Sequence, residues 1–359
     1  MREARVVVLG GQGVFGTRIV RQLQRSSTLE VLVAGRRAPI AVDATRPDDV
    51  QRLLDLAPRV LVDCVGPFQA RDLSLPRRCA QAGIHYVDIA DDRARVAGIG
   101  ALDELARSRD VLVVSGASTV PAISTAFVDA LVSDAADVLE IDVGISPGNR
   151  APRGLATVAA ILGYCGRPIP SAVPRRAGGP EHGWGDLTRH RYPQPVGLRW
   201  LSNVDTPERA LWSTRYPQLE RATLRAGLEL GTLHLGLAFL ARGVRAGLLP
   251  PLDRFARPVL RVADAVEHWG TDSGAMHVRV QCRNADGTRG HRMLTLVAEQ
   301  GDGPQIPATP AVILVKKLLG LDGHAPLALR GAQPCMGMFT PTELMREFAG
   351  FAIRLQSGT

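Results

Sequence analysis

The sequence predicts an α/β protein in two parts: a doubly wound, mostly parallel sheet at the N-terminus and a second α+β domain on a mixed or antiparallel sheet. Three observations carry this. Over about the first 118 residues, strand-like apolar runs alternate with amphipathic helical segments. The first run breaks into four glycines within seven positions, "GGQGVFG" (10–16). Beyond that region the apolar runs give way to strands in which apolar and polar residues alternate, the mark of a half-exposed antiparallel sheet.

Taken in order, the first-part strands are "RVVVLG" (5–10), "EVLVAG" (30–35), "IAVDA" (40–44), "RVLVDCV" (59–65), "HYVDIA" (85–90) and "VLVVSGA" (111–117). Helical patterns at 14–25, 47–57, 70–82 and 94–109 lie between most of them. In the first helix Phe15, Ile19, Val20 and Leu23 form one stripe, which suits packing on a sheet. A helix is expected from Pro121 to about Ser133, with proline in its first turn. The alternating strands follow at 138–146, 277–282 and 292–299. The Pro-, Gly- and Arg-rich stretch 166–217 reads as irregular, and 220–248 as helical, placed in a domain or dimer interface in preference to a membrane surface. Two helices close the chain, in "PAVILVKKLLG" and "TPTELMREFAGFAI", the latter opening with a Thr340 cap, Pro341 and Glu343. The expected domains are 1–125, completed by helices within 331–359, and 126–330.

Composition excludes several classes. At 359 residues, 45% hydrophobic and 22% charged, the chain has enough apolar material for two cores. No apolar run reaches the roughly 20 residues of a membrane span, and no signal-peptide pattern precedes the first strand, so a cytoplasmic protein is expected. Five scattered cysteines without CxxC spacing point away from a metal site or a disulfide frame. The net charge is +8, carried almost wholly by arginine, with Lys316 and Lys317 as the lysines. Aromatics make up 4%, too few for base-stacking platforms, so an anionic small molecule is the expected partner in place of nucleic acid.

The glycines define the first candidate site. Gly11, Gly13 and Gly16 give G-x-G-x-x-G behind Gly10, after a strand and at the start of a helix. In a Rossmann unit the first glycine permits a tight turn, the second lets a pyrophosphate approach, and the third lets helix and strand lie close. The anion meets unpaired amides and the positive end of the helix dipole. The second strand then ends in "GRR". An acid there would accept hydrogen bonds from a ribose, whereas a guanidinium offers a planar fork to a 2′-phosphate. NADP(H) is therefore expected over NAD(H), with Arg36 as the main contact, Arg37 in support and Asp43 near the adenine. The fourth strand ends in "DCVGPFQ", which sets Gly66, Pro67 and Phe68 at the ligand crevice, Phe68 as a lid or as core.

With "VGPFQARDLSLPRRCAQAGIHYVDIADD" and "GASTVPAISTAFVDAL" added, the chain resembles the saccharopine dehydrogenase-like family in its broad bacterial branch, densely over about residues 5–165. The resemblance implies an NADP-binding Rossmann domain, a second domain on a mixed sheet, and C-terminal helices that return to the first. It assigns the dinucleotide loop to Gly10, Gly11, Gly13, Val14, Phe15 and Gly16, the adenosine-phosphate contact to Arg36, and the nicotinamide-side loop to Gly66, Pro67 and Phe68. "YVD" here runs into Ala90, Asp91 and Asp92 where many members have Gly-Glu, and the second domain carries no saccharopine-specific signature.

The candidate chemistry is hydride transfer to or from a C=N or activated C=C bond. The Tyr-x-x-x-Lys mechanism is excluded, because Tyr86, Tyr164, Tyr192 and Tyr216 are followed four residues on by Ala90, Pro168, Val196 and Glu220. Catalytic candidates are Tyr86, Asp88 and Asp91 near the fifth strand end. Ser115, Ser118 and Thr119 follow the sixth, Ser118 and Thr119 as substrate contacts. Arg150 and Arg153, before a helix in "SPGNRAPRGLATV", are candidates for an anionic substrate group. The missing acid–base dyad keeps open a non-catalytic NADP-binding redox sensor or scaffold. A homodimer is expected.

Overall fold

The computed structural model describes residues 4–173 and 180–358. The chain divides into two compact units, 1–126 with 304–347, and 127–303 with 348–359.

In the first unit the chain runs β1 (Ala4–Leu9), α1 (Gly16–Leu23), β2 (Leu29–Gly35), β3 (Ile40–Ala41), α2 (Pro47–Asp55), β4 (Val60–Asp63), α3 (Ser74–Gln81), β5 (His85–Asp88), α4 (Arg93–Gly98), α5 (Asp103–Ser108) and β6 (Leu112–Ser115). The strands pair in parallel in the order β3-β2-β1-β4-β5-β6, doubly wound about β1. Apolar side chains line both faces: Val6, Val7, Val8 and Leu9 of β1 are wholly buried, as are Val60, Leu61 and Val62 of β4. Continuous apolar strands of this kind are stable only with helices on both sides. The helix expected over 94–109 is two, α4 and α5, separated by a tight turn at Ile99–Leu102 beside Gly98 and Gly100, where glycine lowers helix propensity.

α6 (Ser124–Leu131) then leads into the second unit. Here follow β7 (Ala135–Ser146), α7 (Leu155–Tyr164), β8 (Pro168–Ile169), β9 (Glu181–His182), β10 (Thr188–Arg191), β11 (Leu198–Asn203), α8 (Glu208–Arg215), β12 (Arg221–Ala226), α9 (Gly231–Arg245), α10 (Ala256–Ala265), β13 (Gly274–Asn284) and β14 (Arg289–Ala298). The stretch read as helical over 220–248 is a strand followed by a helix. In "RATLRA" the small and apolar Ala222, Leu224 and Ala226 alternate with Arg221, Thr223 and Arg225, a two-residue period that belongs to a strand. The stretch expected to be irregular also supplies β10 and β11.

The chain returns to the first unit through α11 (Gln305–Leu319), β15 (Gly331–Pro334) and α12 (Pro341–Glu347), then ends in the second unit with β16 (Ile353–Gly358). β15 adds a seventh parallel strand beside β6. The second sheet has the order β10-β11-β12-β7-β13-β14-β16, with β12 parallel to β7 and the other pairs antiparallel. Thr340 and Glu343 form the expected capping box: Thr340 N donates to Glu343 Oε2 at 2.8 Å and Glu343 N to Thr340 Oγ1 at 3.2 Å. The helix is shorter than expected. Gly350, at φ +87°, turns the chain, and "FAI" leads into β16.

On β7, β12 and β13 one sheet face carries Leu139, Ile141, Val143, Leu224, Val278 and Val280, all buried. The other carries Glu140, Asp142, Thr223, Arg225, His277 and Arg279.

Candidate functional site

The glycine loop follows from backbone chemistry. Gly10 has φ +78°, and its amide donates to Ala34 O at 2.7 Å, tying the loop to the end of β2. Gly13 N donates to Gly10 O at 2.9 Å, which closes the turn. A Cβ on Gly16 would sit 2.2 Å from Gly10 O, and one on Gly11 would meet Val33 Cγ1 at 2.9 Å. No larger residue fits either place, so α1 starts against the end of β1. Among the described residues, the amides of Gly11, Gln12, Val14 and Phe15 make no hydrogen bond within the protein. The side chains of Val14 and Phe15 are half-exposed.

At the end of β2, Arg36 and Arg37 are exposed, and neither makes a hydrogen bond among the described residues. Glu30, the acid at the other end of the strand, is held by Arg5 at 2.8 Å. The Asp43 carboxylate is committed to its own turn, where it accepts Thr45 N at 3.0 Å and Thr45 Oγ1 at 2.7 Å. Those two bonds, with the charge of Arg36, lower its pKa.

The ends of β4, β5 and β6 converge on a buried polar network. Tyr86 and Asp88 are both 0% exposed. Tyr86 Oη donates toward Asp63 Oδ2 at 2.9 Å, with Asp88 Oδ2 at 3.2 Å, and accepts Arg95 Nη2 at 2.9 Å. Asp88 also accepts Arg95 Nε at 3.1 Å, Ser115 Oγ at 2.7 Å, and the amides of Ala90 and Gly116 at 3.1 and 3.0 Å. Asp63 is paired with Arg71 at 2.7 Å. Burial pushes the Asp63 carboxyl up against the pull of Arg71, and burial likewise raises the Tyr86 phenol, the neighbouring carboxylates adding to it.

This network also fixes the crevice loop. Asp63 Oδ1 accepts Val65 N at 3.0 Å, Arg71 Nη1 donates to Val65 O at 2.8 Å, and Arg95 Nη1 to Asp72 O at 2.7 Å. Gly66 and Pro67, joined by a cis peptide, are exposed, whereas Phe68 is 6% exposed beneath the guanidiniums of Arg95 and Arg71, 5.4 and 5.8 Å from its ring centroid. Phe68 is a buried anchor of the loop. Tyr86 and Asp88, singled out as proton carriers, have every polar atom engaged. Asp63, Arg71 and Arg95 are not among the candidates that the motifs supply. Their one signal in the sequence is the acid-and-arginine pairing in "DCVGPFQARD" and "DDRAR".

The remaining candidates are dispersed. Asp91 is exposed, 3.5 Å from Gln69 Nε2 at the rim of the same strand ends. The protein crowded around its carboxyl raises its pKa by desolvation even so. Ser118 is buried with its amide on Gly116 O at 2.8 Å, its hydroxyl caps no helix, and Thr119 is half-buried. In the second unit, Arg150 donates to His268 O at 3.2 Å, and Arg153 folds back on Asn149 O. Asn149 is itself anchored by its amide on Glu229 at 2.6 Å. These arginines clamp the loop before α7.

No protein-family model and no curated protein matches this sequence. Among solved structures, apo histidine-tagged saccharopine dehydrogenase (L-Glu forming) from Saccharomyces cerevisiae is similar with a TM-score of 0.63 at 12% identity, over 99% of this chain and 100% of that one. C. glutamicum DAP dehydrogenase in complex with DAP gives 0.51 at 15%, over 97% and 99%. An engineered D-amino acid dehydrogenase bound to NADP+ gives 0.50 at 14%, over 96% and 99%. The chain thus has the saccharopine dehydrogenase-like fold across both units.

Proposed function

We propose that this protein is an NADP(H)-dependent oxidoreductase that moves hydride to or from the C–N bond of an amino or imino acid. The observation that carries the reading is the glycine loop: unpaired amides at a helix start where Gly11 and Gly16 leave no space for a side chain, with uncommitted Arg36 and Arg37 at the end of the adjacent strand. Such a cradle suits a pyrophosphate, and the arginine fork suits a further phosphate. The fold it shares with saccharopine and DAP dehydrogenases supports a C–N substrate. When bound, the nicotinamide supplies the hydride chemistry.

In this reading Gly10, Gly11, Gly13, Val14, Phe15 and Gly16 hold the diphosphate, and Arg36 with Arg37 holds the adenosine phosphate. Asp43 shapes the adenine side through its turn. Gly66 and Pro67 border the nicotinamide, held by Phe68, Arg71 and Arg95. Asp91, exposed at the same rim, is the remaining acid candidate of the first unit. Ser118 and Thr119 stay substrate candidates there, and Arg150 and Arg153 in the second unit.

Titration calorimetry tests the cofactor. Arg36→Asp is expected to weaken NADPH more than tenfold and leave NADH nearly unchanged. Equal losses, or no heat with either coenzyme, overturn the assignment. The engagement of Tyr86 and Asp88 favours a second reading, a dinucleotide-binding redox sensor. NADPH oxidation against a panel of imino acids separates the two: tight NADPH binding without turnover of any member supports the sensor.

A further inference from the structure

The polar face of the second sheet holds a cavity that the dinucleotide reading does not use. It measures about 460 Å³ and is lined by Arg221, Thr223 and Arg225 of β12, Asn203 of β11, Glu181 and Arg245, among others. A smaller hollow of about 280 Å³ shares Arg221, Thr223 and Arg225 and continues to Asp142 and Arg279. Arg225 therefore sits in the wall of both. It is 9% exposed, with Nη1 3.1 Å from Asp142 and Nη2 3.0 Å from Asp186. Its Nε is buried and has no partner among the described residues.

Counting charges decides what fits. Glu181 is neutralised by buried Arg209 at 2.8 Å, and Asp186 by Arg225. Asp142 is shared by Arg225 and Arg279, the latter at 2.7 Å. Arg221 and Arg245 are exposed, and among the described residues neither has an ion pair. Two guanidiniums are thus uncommitted among the lining residues, beside the buried Asn203 side chain, while the Thr223 hydroxyl is given to Asp142. The opposing group is Glu140, which lies level with Arg221 in the β7–β12 register and lines only the adjoining hollow.

We infer that this trough binds a small dianion, a phosphate monoester or a dicarboxylate, through Arg221 and Arg245 with the Asn203 side chain beside them. The inference does not depend on the dinucleotide assignment, since all of these residues belong to the second unit. Two planar forks facing one ligand favour paired oxyanions over a monovalent ion.

Calorimetry of the full-length protein with inorganic phosphate and, separately, succinate, at constant ionic strength in chloride, tests it. Saturable one-site binding of at least one anion is expected. The tighter one identifies the class: phosphate for a phosphate ester, succinate for a dicarboxylate. The double substitution Arg221→Gln, Arg245→Gln alters exposed side chains, and circular dichroism checks that the fold is kept. It is expected to weaken binding at least tenfold, while Glu140→Gln strengthens it severalfold. Arg36→Asp, on the other unit, is expected to leave it unchanged. The proposal is overturned if neither anion saturates, if the double variant binds as tightly as the parent, or if Arg36→Asp abolishes the binding.

Discussion

Each unit builds a charged cluster on its sheet, and the two are made differently. In the first, Asp63, Tyr86, Asp88, Arg95 and Ser115 lie at the strand ends, are sealed from solvent, and use their donors and acceptors on one another. In the second, Asp142 gathers Thr223, Arg225, His277 and Arg279 on the open face of a sheet, where Arg279 is 54% exposed and Arg225 keeps an unpaired donor. Burial opposes the charge of Asp142, yet the bonds from His277 and Thr223 with the charge of Arg225 outweigh it and hold the carboxyl below its usual range. A closed cluster positions backbone. An open one has valence left for a ligand.

The sharpest way to break this contrast is to remove one member of the closed set. Arg95→Ala leaves Asp88 and the Tyr86 oxygen buried without their cation, and breaking a buried pair typically costs about 3–5 kcal/mol. Urea denaturation should show a loss of that size, and hydrogen exchange should locate it at the ends of β4 and β5. A loss below about 1 kcal/mol, the range of exposed pairs, would mean that the network is not closed in solution.

The next effect is set by pH and touches both units. His85 accepts Leu112 N at 2.9 Å between strands, and His234 packs beside Trp184 with Ser202 Oγ at 3.0 Å. Burial lowers both to about 4, the charges of Arg330 and Arg59 contributing at His85. Their unfolded value is about 6.5, so between these limits the unfolded chain binds more protons than the native one. Stability is therefore complete above about pH 6.5 and falls as pH drops toward 4, by on the order of 3 kcal/mol per histidine at the end of the window. Denaturation midpoints from pH 7 to pH 4 check this. A flat profile would show that these rings take up protons without unfolding.

Tyr86→Phe separates scaffold from chemistry. It removes a hydroxyl that bridges Asp63, Asp88 and Arg95, at a cost of about 1–3 kcal/mol, and leaves the ring's packing in place. On the reading above, kcat of the folded variant with a turned-over imino acid changes less than tenfold. A proton-donor role would lower kcat by roughly 10²–10⁴ with the cofactor Kd unchanged.

How much of this was readable from the sequence follows from the range of the interactions. The glycine loop, the first-unit strands and the "GRR" ending depend on near neighbours and a fixed period, and they were legible. β12 was missed because alanines at its inward positions blur the two-residue period, and β16 because its partner, β14, lies more than fifty residues away. Tyr86 and Asp88 are legible as a pair, catalytic or structural, with a turn cap as the structural role for Asp88. Their partners are not, because Asp63 and Arg71 meet them through strand order and Arg95 through the turn from β5 into α4. Gly144 is a similar case. A Cβ there would lie 2.4 Å from His277 Cε1, so the glycine makes space for a ring 133 residues on in the chain.

The smallest effect belongs to the open cluster and completes the contrast. Arg279→Ala removes a half-exposed cation from Asp142, which retains Arg225, Thr223 and His277. Water takes the vacated position, so the loss should stay within about 1 kcal/mol and shrink further in high salt, where exposed pairs are screened. Denaturation of this variant and of Arg95→Ala, side by side at low and high salt, measures the difference directly. Arg95→Ala should be almost insensitive to salt. If the two variants lose equal stability and respond equally to salt, sheet ends and sheet face do not differ in closure, and the open valence assigned to the second unit has no physical basis.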